Sequence, residues 1–176
     1  MKYFIADTHF TEESIIRYES RPFQSVQEMD RILVERWNSA VAEEDEVFML
    51  GDFGAVGREA EFLGRLQGRK FLVKGNHDRK SNQYYRLAGF EEVYDHPVII
   101  EGFWILSHEP LYVNSHMPYG NLFGHVHNSP IFRTFSAQHY CVSVERTGYA
   151  PVSFEEIRRK IQCGIREEAG EMQEKV

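Results

Sequence analysis

Seven side chains of cation-holding type fall in five short runs: Asp7 and His9 in D-T-H, Asp52 after Gly51, Asn76 in G-N-H-D, His108 after Ser107, and His125 and His127 in G-H-V-H. Carboxylate, imidazole and amide oxygen without a thiolate suit borderline to hard divalent ions such as Mn, Fe, Co, Ni or Zn. Seven donors exceed the need of one ion with an open position and match the need of two. A carboxylate can serve two ions through its two oxygens, and Asp52, alone after its apolar run, is the natural bridge. A lone histidine, or a lone Gly-Asp turn, is most often an ordinary surface feature. His96, His116 and His139 are read that way. Recurrence of the donors after successive apolar runs sets the seven apart.

Those apolar runs are the elements that must position them. Tyr3–Ala6, Glu46–Leu50, Arg69–Val73 and Phe103–Leu106 read as strands, and each feeds a donor at its carboxyl end. In an open α/β sheet the ligand crevice lies outside those ends. G-H-V-H reads as a loop. Gly51, Gly75 and Gly124 stand beside donors, where a missing Cβ allows a tight turn. Ser25 to about Val41 reads as a helix, with Ser25 and Glu28 as a capping box and Val26, Met29, Leu33 and Trp37 on one face. Residues 57–67 form a weaker helical pattern, and 81–87 a short one stopped by Gly89. Glu101-Gly102 joins strands 98–100 and 103–106 as a hairpin. Two more strands are expected over 131–135 and 139–144. A last helix opens at Ser153 with Glu156 three places on. The alternation predicts a single α/β domain over residues 1–164 and a solvated tail over 165–176.

Composition narrows the function classes. A chain of 176 residues can bury a core, and no apolar run approaches the ~20 residues of a bilayer span. The start of the chain has too short an apolar stretch for a signal peptide, which points to a cytoplasmic protein. With a formal net charge of -7 the chain lacks the basic signature of a nucleic-acid binder, so that partner is not favoured. Cys141 and Cys163 have no paired spacing and are expected to be free, buried thiols.

D-x-H, G-D, G-N-H-D, a solitary H and G-H-x-H, in that order, resemble the calcineurin-like metallophosphoesterases. Val142-Ser143-Val144-Glu145 through Gly148, Tyr149 and Pro151, together with Ile15-Ile16 and Arg21-Pro22-Phe23, are similar to the small single-domain bacterial and phage members. The likeness covers nearly the whole chain. It implies a two-sheet α/β sandwich flanked by helices in four layers, with a dinuclear centre at one end. Asp7, His9, Asp52 and His127 would hold the first ion; Asp52, Asn76, His108 and His125 would hold the second. His77 would face the substrate phosphate as general acid, and Asp78 would orient it through a hydrogen bond. Two positions depart from the related sequences: Thr11-Glu12 follows Phe10 where Gly-His is frequent, and Phe123 precedes G-H-x-H where histidine is frequent.

The resemblance implies a metal-dependent phosphoester hydrolase, with manganese the foremost of the candidate ions. The small members suggest a diester or nucleotide-like substrate, attacked by a hydroxide bridging the two ions. Tyr84, Tyr85, Asn114, His116, Tyr119 and Asn128 are candidates for the rim, although most of the tyrosines are read as packing residues. A nuclease and a phosphomonoesterase would use the same donors. A non-catalytic metal-binding scaffold is the other alternative, and the intact His77-Asp78 pair argues against it.

Overall fold

A computed structural model describes residues 1–114, 116–130 and 136–173; the strand expected over 131–135 lies outside them. Strands β1 (Lys2–Ile5), β2 (Glu46–Met49), β3 (Arg69–Val73), β4 (Glu92–Tyr94) and β9 (Val152–Ser153) form one sheet in the order β4-β3-β2-β1-β9. Strands β5 (Val98–Ile100), β6 (Trp104–Leu106), β7 (Gly120–Phe123) and β8 (His139–Cys141) form a second, in the order β5-β6-β7-β8. The helices are α1 (Glu13–Tyr18), α2 (Val26–Ala40), α3 (Glu59–Leu63), α4 (Asn82–Ala88) and α5 (Phe154–Gln173). Two mixed sheets flanked by helices are thus the architecture expected of the sequence.

Side chains alternate across a strand, so each strand of the first sheet feeds two cores. Tyr3, Ile5, Val47, Met49 and Leu72 face Leu33, Trp37, Phe62 and Tyr85 of α2, α3 and α4. Phe4, Ala6, Phe48, Leu50 and Val73 face Trp104, Leu106 and Leu122 of the second sheet. Phe154, Ile157 and Ile161 of α5 join that second core. Burial on both faces explains the unbroken apolar runs. Each such fully buried large side chain contributes about 1.5–3 kcal/mol.

Register sets the site. β1, β2 and β3 are parallel, with Ile5 opposite Met49 and Met49 opposite Leu72, so their carboxyl ends are level. β6 and β7 are also parallel, with Leu106 opposite Leu122. The two sheets are stitched together where Ala6 N–H donates to Val142 O at 2.9 Å and Val144 N–H donates to Ala6 O at 3.1 Å. All five donor-bearing ends therefore lie on one side.

Local differences from the sequence expectation have physical causes. Ser25 caps α2, its Oγ accepting the Glu28 N–H at 3.2 Å, but Glu28 reaches back to the N–H of Gln24 and not of Ser25. The 57–67 helix contracts to α3, because Gly57 sits at φ 79 and Gly64 follows Leu63. β7 was hidden by its opening Gly120-Asn121, both poor strand formers, although all four of its residues are buried. G-H-V-H is therefore a strand end like the others. β4 and β9 are too short to carry a periodic signal, and α1 is a single turn and a half. Cys141 and Cys163 are free, but Cys163 is exposed, facing outward from α5. Among the described residues no helix is long and apolar enough to cross a membrane.

Candidate metal centre

Five of the seven candidate donors carry left-handed backbone: Asp7 (φ 60), His9 (φ 48), Asp52 (φ 58), His125 (φ 67) and His127 (φ 45). Non-glycine residues there cost about 1–3 kcal/mol each and persist only where neighbours hold them. The holding contacts are visible. Asp7 N–H donates to Gly51 O, His9 N–H to Asp52 O and Phe10 N–H to Phe53 O, all within 3.0–3.1 Å, so the loops after β1 and β2 zip together. The glycines permit close approach: a Cβ on Gly75 would lie 2.3 Å from Asp52 Oδ1, and one on Gly124 would lie 2.4 Å from Ala6 Cβ and 2.8 Å from Asp7 Oδ2.

The seven donors come together as two clusters about one carboxylate. Ligand atoms of Asp7, His9 and His127 lie within 4.8 Å of one another. Asn76 Oδ1 lies 2.9 Å from His108 Nε2 and 3.2 Å from His125 Nδ1, and those two nitrogens are 3.1 Å apart. Asp52 Oδ2 stands between, 3.7 Å from His9 Nε2 and 3.4 Å from His108 Nε2. Its other oxygen accepts the His77 N–H at 2.9 Å.

These donors fit divalent cations on two observations. His9 Nε2 is buried without a hydrogen-bond partner among the described residues, and an unpaired lone pair in that setting calls for an acceptor of electrons. The electrostatics also ask for positive charge. Burial pushes the Asp7 carboxyl up, against the pull of His127 and His108. Burial opposes ionisation of Asp52 as well, but its hydrogen bond to His108 and the nearby imidazoles hold it at about 2. Burial likewise disfavours a cationic His108, yet the Asp52 and Asp7 carboxylates lift it to about 9.

A layer of groups behind the donors escaped the sequence reading. Glu12 Oε2 is 2.8 Å from His9 Nδ1, and Glu145 Oε1 is 3.0 Å from His127 Nδ1. The His108 Nδ1–H donates to Leu50 O at 2.9 Å. In each case the outer nitrogen is engaged and Nε2 is directed inward, as imidazole ligands require. Arg21 is fully buried: it donates to Asp7 O at 2.6 Å, to Thr8 O at 3.0 Å, and to Glu145 Oε1 at 2.9 Å from Nε and 2.7 Å from Nη2. Glu12 carried a weak local signal, three residues after His9. Arg21 and Glu145 stood among the residues that resemble the small family members, but nothing in the sequence tied them to the donors.

Two expectations need correction. Asp78 does not hydrogen-bond the His77 ring; its Oδ2 accepts the N–H groups of Asp52 at 2.7 Å and Gly75 at 2.9 Å, and its Oδ1 that of Phe53 at 3.2 Å. In so tight a turn the side chain folds back on its own backbone, tying the β2 and β3 loops together. The His77 ring is exposed, set edge-on to His9 with centroids 5.1 Å apart. Tyr85 is a core residue at 3% exposure and not a rim residue, while Tyr84 donates its hydroxyl to Glu59 at 2.7 Å. His139, as expected of an ordinary histidine, is tied to Ser136 and to the carbonyl of Leu111.

The chain is similar to known proteins along most of its length. An uncharacterized protein of Methanocaldococcus jannaschii is 29% identical over 168 residues, 92% of each chain. The gene 66 protein of a Mycobacterium phage is 43% identical over 60 residues, 31% of this chain and 30% of its own. The crystal structure of a protein of unknown function from Aquifex aeolicus superposes with a TM-score of 0.71 at 28% identity, over 90% of this chain and 98% of that one. The profile of the calcineurin-like phosphoesterases matches residues 3–144, from the first residues of β1 to the stitch between the sheets, and the chain belongs to that family of phosphoester hydrolases.

Proposed function

We propose that the chain is a dinuclear phosphodiesterase acting on a small or nucleotide-like ester. The observation that carries this reading is Asp52 Oδ2, poised between His9 Nε2 at 3.7 Å and His108 Nε2 at 3.4 Å. On this reading Asp7, His9, Asp52 and His127 hold one divalent ion, and Asp52, Asn76, His108 and His125 hold the other, with manganese the foremost candidate. When bound, such ions polarise the phosphoester, acidify water and clamp the attacking and leaving oxygens of an in-line displacement.

The chain's own residues do the rest. Left-handed backbone at Asp7, His9, Asp52, His125 and His127 fixes the donors before substrate arrives. His77, exposed at the mouth, gives its proton to the leaving oxygen. Asp78 positions His77 indirectly, by fixing the Gly75 and Asp52 N–H groups. The diester preference is supported by the likeness to small family members and by Glu12 beside the mouth, whose charge repels a dianionic monoester more than a monoanionic diester. The catalytic unit is proposed to span residues 1–164, with 165–176 as an appended tail.

The test strips the protein of metal, restores Mn, Ni, Zn or Mg singly, and compares an aryl phosphomonoester with the aryl diester. The diester should be cleaved faster. On a diester that releases an aliphatic alcohol, His77→Ala should keep its metal and lose about 10²–10⁴-fold in kcat. Parental turnover of that ester by His77→Ala would remove its role as acid, and no turnover with any ion would remove the enzymatic reading.

A further inference from the structure

With Asp78 engaged by three backbone N–H groups, the His77 ring needs another partner to hold it. Glu12 is the carboxylate at hand. One of its oxygens lies within 4.8 Å of ring nitrogens of both His9 and His77. Its two oxygens are already fixed, Oε2 by His9 at 2.8 Å and Oε1 by the Ser14 hydroxyl at 3.2 Å. The turn that delivers it is fixed as well. Glu12 N–H donates to His9 O at 3.1 Å, and Thr11 N–H donates to Asp30 Oδ1 at 3.0 Å. Thr11 itself sits at φ 65, a conformation a β-branched residue adopts only under constraint.

We propose that Glu12 is the positioning residue for His77, and that its purpose is cleavage of esters whose leaving group is an aliphatic alcohol such as a sugar hydroxyl. This rests on the phosphodiesterase reading above and adds to it the class of leaving group. In the reaction a bond from water oxygen to phosphorus forms as the bond to the leaving oxygen breaks. The leaving oxygen departs with that electron pair and takes the proton of His77. The proton lost by water passes through solvent and restores His77. An aliphatic alkoxide is too basic to leave without that proton, whereas a nitrophenolate leaves without it. Glu12 stands near the His77 ring without a hydrogen bond to it in this structure; drawn in to hold one edge of the imidazole, its carboxylate would turn the opposite nitrogen toward the leaving oxygen and would matter in proportion to how much the reaction needs the acid.

The test uses the manganese-loaded full chain on two diesters, one releasing nitrophenolate and one releasing a nucleoside. Glu12→Gln retains an oxygen for the His9 N–H but removes the charge beside His77. It should lose about 10–100-fold in kcat on the nucleoside ester, the range of a partner one step removed from the chemistry, with KM little changed and a several-fold smaller loss on the nitrophenyl ester. Combined with His77→Gln it should add almost nothing to the loss from His77→Gln alone, since the two groups act as one unit. Because Glu12 also stands behind His9, the variant should bind manganese more weakly, so both esters are compared at saturating manganese, where the manganese bound per chain, measured by calorimetry, should match the parent. Equal losses on both esters or additive losses in the double variant under those conditions would each overturn the proposal and make Glu12 a support of His9 alone. A parent that cleaves neither ester would instead overturn the phosphodiesterase reading.

Discussion

Behind His9 stands the Glu12 carboxylate at 2.8 Å, and behind His127 the Glu145 carboxylate at 3.0 Å, whereas His108 leans on the Leu50 carbonyl at 2.9 Å and Asn76 is a neutral amide. The first cluster also brings its own carboxylate, Asp7, and has two of its three members buried; in the second, Asn76 and His125 are exposed. A carboxylate behind an imidazole makes it a more basic ligand and fixes its direction. The two halves share Asp52 and similar donors, so the difference lies in support. On the proposed metal assignment, the half built on β1 and the G-H-V-H loop should grip its cation, and the half built on β3 and β6 should exchange its own with solvent.

The largest effect should come from the carboxylate common to both halves. Calorimetric titration of the stripped parent with manganese should show two steps of unequal affinity, and equal steps would break the contrast. Asp52→Asn should weaken both steps beyond the ~10–100-fold expected of a group one step removed from the metal. A single surviving step at parental affinity would mean that Asp52 serves one half only.

Glu145→Gln should act on one half. It should weaken the tighter step by about 10–100-fold and leave the weaker step in place. It should also lower stability by about 3–5 kcal/mol in urea titration, because Arg21 is buried and would lose its charge partner. The carbonyls of Asp7 and Thr8 still receive Arg21, which favours the lower end of that range. Weakening of both steps alike would show that Glu145 supports the fold as a whole and not the His127 side of the site.

What could be read from the sequence follows the same division. The donors themselves were legible because cation chemistry admits few residue types and because apolar runs announce the strands that present them. The helix α2 was legible through Ser25 and its apolar face. The supports were not. Arg21 and Glu145 are 124 residues apart and meet only because Ala6 and Ser143 join the two sheets. Asp78 misled because adjacency to His77 says nothing of direction: its carboxylate turns back to Gly75. β7 was missed because burial by Trp104 and Phe103, not intrinsic preference, makes Gly120-Asn121 extended.

The smallest effect asked of the molecule separates local support from overall charge. The chain carries a net charge of -7, and diffuse negative potential alone could draw cations to it. Glu35 is well suited to test this. It is exposed on α2 and paired with Arg31 at 2.8 Å, one helical turn away. Glu35→Gln removes one negative charge from the protein, as Glu145→Gln does, but from a solvated surface where the screening length is about 8 Å at physiological salt. Loss of such an exposed pair should cost about 0.3–0.5 kcal/mol, read as a small shift of the urea midpoint. Neither manganese step should move at that ionic strength. If Glu35→Gln weakens the tighter step as much as Glu145→Gln, the asymmetry of the two halves is a property of total charge, and the carboxylates behind His9 and His127 lose their special standing.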